Sequence, residues 1–169
     1  MQSATSVDSL FNNDYNDYFT GSSGFKETTI ISEGMREYYH DYWDILHLIG
    51  YLYPDFPKHF QKVQIGIMFN YMQKGGIPCS TCTFEFKKFL KKNNMYQICR
   101  NKNNLKTFMI DLHNYVNKNL QKDILNYHQV DELYTDLDYK CNRILSKYGI
   151  NIPELLEKGE IYTFIDDLK

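Results

Sequence analysis

Cysteine, proline and tryptophan are scarce in this chain: four, four and one among 169 residues. No cysteine precedes residue 79. The start is not basic and no apolar stretch follows it, so neither a secretory leader nor the disulfide framework of a small secreted domain is expected. N-x-S/T sequons are missing as well, which fits a chain that is not secreted. No apolar run approaches the ~20 residues that a membrane span needs. The formal net charge is only −2, which gives no electrostatic case for nucleic-acid binding. The apolar–polar alternation that marks strands is almost absent, and so are internal repeats.

With 43% hydrophobic and 24% charged residues, the composition suits one globular domain with polar ends. The abundance of Tyr, Phe, Asn and Lys reads as coding bias and carries no mechanism. Residues 1–34, rich in Ser, Thr, Asn, Asp and Gly, read as a flexible polar arm. From Arg36 a helical period begins: Tyr39, Trp43, Leu46, His47, Gly50 and Tyr53 share a face, and Pro54 and Pro57 close the segment. Phe60, Val63, Ile67, Met68 and Tyr71 mark a second helix, stopped by Gly75-Gly76. Phe84, Phe86, Phe89 and Leu90 continue a third that starts near Ser80 and ends at Asn93-Asn94. Leu105 through Leu120 give a fourth, and Val130 through Leu145 a fifth, closed by Gly149. An apolar tail follows Pro153. The expected fold is all-α: a four-helix bundle with a short fifth helix, a flexible N-terminal arm and a helical C-terminal tail.

The chemistry centres on Pro78-Cys79-Ser80-Thr81-Cys82. A CxxC pair is either a reversible dithiol or half of a zinc site. At a helix start, unpaired N–H groups stabilise a thiolate. A thioredoxin-like arrangement needs βαβ units, and none is legible. A dithiol on a helical bundle needs an electron acceptor to turn over, and a flavin would serve. Flavins call for flat aromatic walls, imidazoles, amides and cations. Trp43, His47 and Tyr53 lie on one helix; His113, Asn114, Val116, Asn117, Lys118 and Lys122 lie on another. The competing zinc module would join Cys79 and Cys82 to two of Cys99, His113, His128 and Cys141, although only one close cysteine pair exists. A third reading is an interaction scaffold that binds a partner through the apolar tail. Taken singly, Trp43, Tyr53, His47 and His113 are more often core residues, the phenylalanines after Cys82 are core, and Lys87, Lys88, Lys91 and Lys92 form a solvated face.

Taken together and in order, Trp43-x-x-Leu46-His47, Tyr53-Pro54-x-x-Pro57, Pro78-Cys79-x-x-Cys82 and Leu112-His113-Asn114-x-Val116-Asn117 resemble the Erv/ALR family of FAD-linked sulfhydryl oxidases, over roughly residues 36 to 134. The resemblance implies a bundle holding FAD at its mouth in a domain of residues 35–134, followed by a C-terminal helical extension at 135–169. It implies that Cys79 exchanges with the substrate dithiol, and that Cys82 lies against the isoalloxazine and passes electrons to it, with O2 reduced to hydrogen peroxide. Trp43, His47, Tyr53, His113, Asn114, Val116, Asn117, Lys118 and Lys122 match family flavin contacts. His40 stands where the family often has Gly-Arg or Gly-Lys, and Tyr134 where it usually has a Trp near the adenine. No metal is implied.

The family's Ser-Arg before the fourth helix is replaced by Cys99-Arg100-Asn101-Lys102, where either Arg100 or Lys102 takes that role, and the other departures are in the cysteines. The family's Trp-x-Cys in the fourth helix reads Phe108-x-Ile110, and the arm has no shuttle pair. Cys99 and Cys141 then relay electrons, brace the fold or stay free. Short forms of this kind are typical of large DNA viruses. The implied partners are a dithiol substrate protein, thioredoxin-like or a virion component, and a second copy in a homodimer built on the first two helices. The implied location is the cytoplasm or a virion, with the mitochondrial intermembrane space as the alternative.

Overall fold

A computed structural model describes residues 33–77 and 80–161. The elements are α1 (Glu33–Leu52), α2 (His59–Tyr71), α3 (Ser80–Leu90), α4 (Met95–Ile98), α5 (Lys102–Asn119), α6 (Tyr127–Leu133), α7 (Leu137–Tyr148) and α8 (Ile152–Lys158). No strand occurs among the described residues, as an all-α bundle requires. The polar arm lies outside them but for its last two residues, and so does Cys79. None of the described helices is long and apolar enough to cross a membrane.

Helix α1 is the centre of the molecule. From Asp41 to Gly50 every residue but Trp43 is buried, so the helix is covered on all sides rather than on one stripe. It packs most extensively on α5, and α7 and α8 also lie against it. α2, whose Gln61 amide donates to the Leu156 carbonyl of α8 at 3.2 Å, leads into α3, which packs on α5. Phe69 of α2 meets Phe86 edge-on at 5.6 Å and Phe108 of α5 at 5.2 Å, while Phe89 of α3 lies 5.4 Å from Phe108. These rings join α2, α3 and α5 into one core. Helices α1, α2, α3 and α5 make the bundle, and the short α6 sits against α5.

α1 and α5 run antiparallel and approach closely at Gly50. A Cβ there would lie 3.1 Å from the Lys106 Cα and 3.4 Å from the Met109 Cγ. Gly50→Val is therefore expected to wedge the two helices apart and cost about 1–3 kcal/mol, as overpacking does. Denaturant unfolding followed by Trp43, the only tryptophan, reads this loss.

Between α2 and α3 the chain winds through a wide π-type turn, Met72–Gly76. Gly75 has φ +103°, a conformation that favours glycine. A Cβ on Gly76 would fall 2.1 Å from the Tyr71 ring. The Gly-Gly pair thus permits the reversal that brings the CxxC to the head of α3. The Thr83 hydroxyl then donates to the Ile77 carbonyl at 3.4 Å, tying the two sides of the CxxC together.

Four differences from the sequence reading have clear causes. The expected fifth helix is two, α6 and α7, because the Asp136 side chain accepts from the Tyr139 N–H and starts a new helix. Asn94, expected only as a terminator, caps the unexpected α4. Asn101, Asn126 and Asn151 cap α5, α6 and α8, so part of the asparagine content is structural. Finally, Phe84 is 63% exposed rather than core, and Phe60, Val63 and Ile67 are 39–45% exposed, because α2 turns Ile65, Met68 and Phe69 inward instead.

Candidate functional site

The antiparallel α1–α5 pair brings Trp43 and His47, one turn apart, against His113. The Trp43 indole stacks on the His113 imidazole, with ring centres 4.0 Å apart and planes within 4°. His47 Nε2 and His113 Nδ1 share a hydrogen bond of 2.9 Å. His47 is 2% exposed and His113 9%. Burial pushes the His47 pKa down to about 4, with the Lys140 charge adding to this and Asp44 opposing it. Burial, then the His47 and His40 charges, hold His113 well below the ordinary histidine value. Both rings are therefore neutral near pH 7. The second ring nitrogen of His47, Nδ1, is buried with no hydrogen-bond partner.

Tyr134, at the C-terminal end of α6, completes the cluster. Its ring lies 5.1 Å from His47 and stacks on Tyr51 at 4.9 Å. Its hydroxyl donates to Asp44 Oδ1 at 2.6 Å. The sequence-predicted residues Trp43, His47, His113 and Tyr134 thus converge on one place.

The others are placed differently. His40 is half-buried one turn before Asp44, with Nδ1 3.9 Å from its Oδ2. Tyr53 is fully buried and donates to the Cys99 carbonyl at 3.2 Å. Asn114 bonds the Leu125 N–H and carbonyl, holding the loop before α6 onto α5. Further along α5, Asn117 is buried, Val116 half-buried and Lys118 exposed; Lys122 follows in the next turn, its N–H bonded to the Asn117 carbonyl at 2.9 Å.

Cys82 lies in the first turn of α3, half-buried and disulfide-bonded. Glu85, three residues on, accepts from the Tyr115 hydroxyl at 2.6 Å and the Asn119 amide at 3.0 Å. These bonds fix the head of α3 beside the C-terminal half of α5, the half that carries His113 and Asn117. Cys99 and Cys141 are free thiols. Burial pushes the Cys99 thiol up to about 11, so it stays protonated and unreactive; burial also raises Cys141.

The sequence reading missed an ionic clasp between α1 and α7. Asp41 and Asp44 are 1% and 5% exposed. Arg143 bonds both: Nη1 to Asp41, and Nη2 to Asp44 Oδ2 at 2.6 Å. Lys147 and the Tyr148 hydroxyl each reach Asp41 Oδ2 at 2.7 Å. Burial alone would raise the Asp41 pKa; hydrogen bonds from His40, Lys147, Tyr148 and Arg143 outweigh it and hold the carboxyl far below its ordinary range. The legible signal was two aspartates three residues apart at the start of the apolar-rich stretch 41–52, a pattern that demands buried partners.

A zinc module fits poorly. Cys82 is in a disulfide and has no thiolate to offer. Among the described residues the single cluster of metal-capable groups is His40, Asp41 and Asp44, whose carboxylates are already taken by Arg143, Lys140 and Lys147. A helical bundle with a cystine at a helix start and a buried aromatic–imidazole cluster is instead the frame of a redox protein. The family model of the Erv1 / Alr family matches residues 40–135, more than half the chain. The protein belongs to that family, which is one of sulfhydryl oxidases whose members generally bind FAD. No curated protein and no solved structure matches the chain.

The residues present fit a flat heteroaromatic group of that kind. A stacked indole and imidazole offer a planar aromatic surface, and His47 Nδ1 is a buried polar atom still lacking a partner.

Proposed function

We propose that the protein is a FAD-dependent thiol oxidase that makes disulfides in partner proteins. The observation that carries this is the unpartnered, buried Nδ1 of a neutral His47 beside the Trp43–His113 stack, at an α1–α5 junction next to the helix headed by a cystine. Trp43, His47, His113 and Asn117 would hold the ring systems of FAD, with Lys118 and Lys122 for its phosphates.

In this reading a substrate thiolate attacks the Cys79 sulfur of a Cys79–Cys82 disulfide. The S–S bond breaks and a mixed disulfide forms, with Cys82 leaving as the thiolate. The N–H groups of the first turn of α3 stabilise that thiolate. The second substrate thiol then attacks the mixed disulfide, releasing oxidised substrate and leaving two electrons and two protons on the Cys79–Cys82 pair. What FAD supplies when bound is a two-electron acceptor that O2 can reoxidise, with hydrogen peroxide as product. The neutral imidazole pair offers a donor or acceptor at Nδ1 without adding charge. In this reading substrate meets this pair directly, since Cys99 and Cys141 are free thiols, one buried and one half-buried. We also propose a homodimer through α2, supported by the exposed Phe60, Val63 and Ile67 on one of its faces.

Two measurements test the proposal. The FAD-loaded protein should consume oxygen with dithiothreitol and yield hydrogen peroxide equimolar with the dithiol oxidised. His113→Ala removes a stacked ring and the partner of His47, so FAD affinity should fall by about tenfold. Equal flavin content in variant and wild type after gel filtration would count against this site.

A further inference from the structure

The family match ends at residue 135, and α7 begins at Leu137. We infer that α7 is nonetheless part of the redox site, with Lys140 and Arg143 acting as positioning residues that hold the Tyr134 wall of the His47 cluster through Asp44. The inference rests on the thiol-oxidase reading only in naming FAD as the occupant.

The contacts form one continuous chain. Asp44 Oδ2 takes the Arg143 guanidinium at 2.6 Å and Oδ1 takes the Tyr134 hydroxyl at 2.6 Å. Lys140 Nζ lies 3.5 Å from both oxygens and also 4.6 Å over the Tyr134 ring. Helix α7 thus grips Tyr134 twice: through its hydroxyl by way of Asp44, and through its π-face directly. Tyr134 in turn packs on His47, the residue whose Nδ1 has no partner. One ring nitrogen of His47 is fixed by His113; the tilt of the ring, and hence where Nδ1 points, is fixed by Tyr134 on its other side. Burial, then Asp44, raise the Tyr134 pKa well above its ordinary value, so the hydroxyl remains a donor at every working pH.

The other half of the clasp has a different character. Lys147 bonds Asp41 and Glu37 and makes neither the Asp44 nor the Tyr134 contact. It braces α1 on α7 at the end away from Tyr134. Lys147→Met therefore separates holding α7 in place from positioning the site.

The test uses the full chain. FAD is titrated into apoprotein by fluorescence quenching, the histidine ring resonances of the apoprotein are recorded by NMR, and thermal midpoints are measured. Tyr134→Phe and Lys140→Met are expected to weaken FAD binding by about tenfold, the worth of a hydrogen bond to a charged group, and to shift the His47 ring resonances. Lys140→Arg should restore both. Lys147→Met should lower the midpoint while leaving FAD affinity and the His47 resonances as in wild type. Unchanged affinity and resonances in Tyr134→Phe and Lys140→Met would overturn the inference. So would losses in Lys147→Met as large as in the other two, since α7 would then act only by holding the fold. Should wild type take up no FAD, the oxidase reading fails, and the His47 resonances alone decide the positioning role: a shift in Tyr134→Phe and Lys140→Met supports it, and none overturns it.

Discussion

Cys82→Ser is expected to abolish thiol oxidation while FAD stays bound. Cys82 occupies the first turn of α3 in a disulfide, where the helix N-terminus favours the leaving thiolate. A serine hydroxyl can neither form that disulfide nor be released from one, so no electron pair leaves the substrate. Trp43, His47, His113 and Tyr134 lie on α1, α5 and α6, and the substitution alters none of them. Oxygen uptake with dithiothreitol reads the turnover, and the visible flavin band reads occupancy. In the same variant the lone Cys79 thiolate attacks the disulfide of an already oxidised substrate, displacing one substrate thiolate and staying joined to the other sulfur, and the captured protein identifies the partner. Wild-type dithiothreitol oxidation by Cys82→Ser would reverse the assignment of roles.

The largest stability effect is expected from Asp41→Asn, at about 3 kcal/mol. The change is nearly isosteric, so it isolates the charge. It leaves Arg143 and Lys147 facing a neutral group where a carboxylate 1% exposed had paired with both. Both cations keep roughly a third of their side chains in water, 29% and 33%, which puts the loss at the low end for a broken buried pair. Urea unfolding of wild type and variant measures it. The pH dependence follows in sign. The Asp41 pKa is lower folded than unfolded, so its contribution is complete above 3.8 and is lost as pH falls toward the folded value. His47 is also depressed, from 6.5 to about 4, so the buried neutral imidazole favours folding above pH 6.5 and that advantage shrinks down to about 4. Wild type should therefore weaken in two stages on acidification, and Asp41→Asn should show a smaller lower one, to which Asp131, also held below its ordinary value, still contributes.

Much of this was legible because the residues involved obey one-dimensional rules. The helical period located α1, α2, α3 and α5 within a few residues, since apolar residues recur along each at three- and four-residue steps. Trp43, His47 and His113 were legible as candidates through the order of motifs that resembles the Erv/ALR family, whereas helical spacing alone reads them as core residues. What the sequence hid depends on partners distant in the chain. The apolar residues of α2 do not say which of its two faces is buried; the packing of Phe69 on Phe86 and Phe108 decides that. The α6–α7 break turns on one side chain, Asp136, capping an N–H three residues on. The Asp41–Arg143 clasp spans more than a hundred residues and has no local signature beyond two aspartates on a buried helix. Tyr134 was picked out by its position, but its link to Asp44 and Lys140 was not foreseeable from spacing.

The most direct test is the visible spectrum of the purified protein, before and after anaerobic addition of dithiothreitol. The protein is predicted to be yellow, to bleach as electrons enter through the cysteine pair, and to recover its colour when air is admitted, whereas Cys82→Ser stays yellow throughout. A colourless protein that releases zinc on denaturation, or a yellow one that the dithiol cannot bleach, would contradict the assignment.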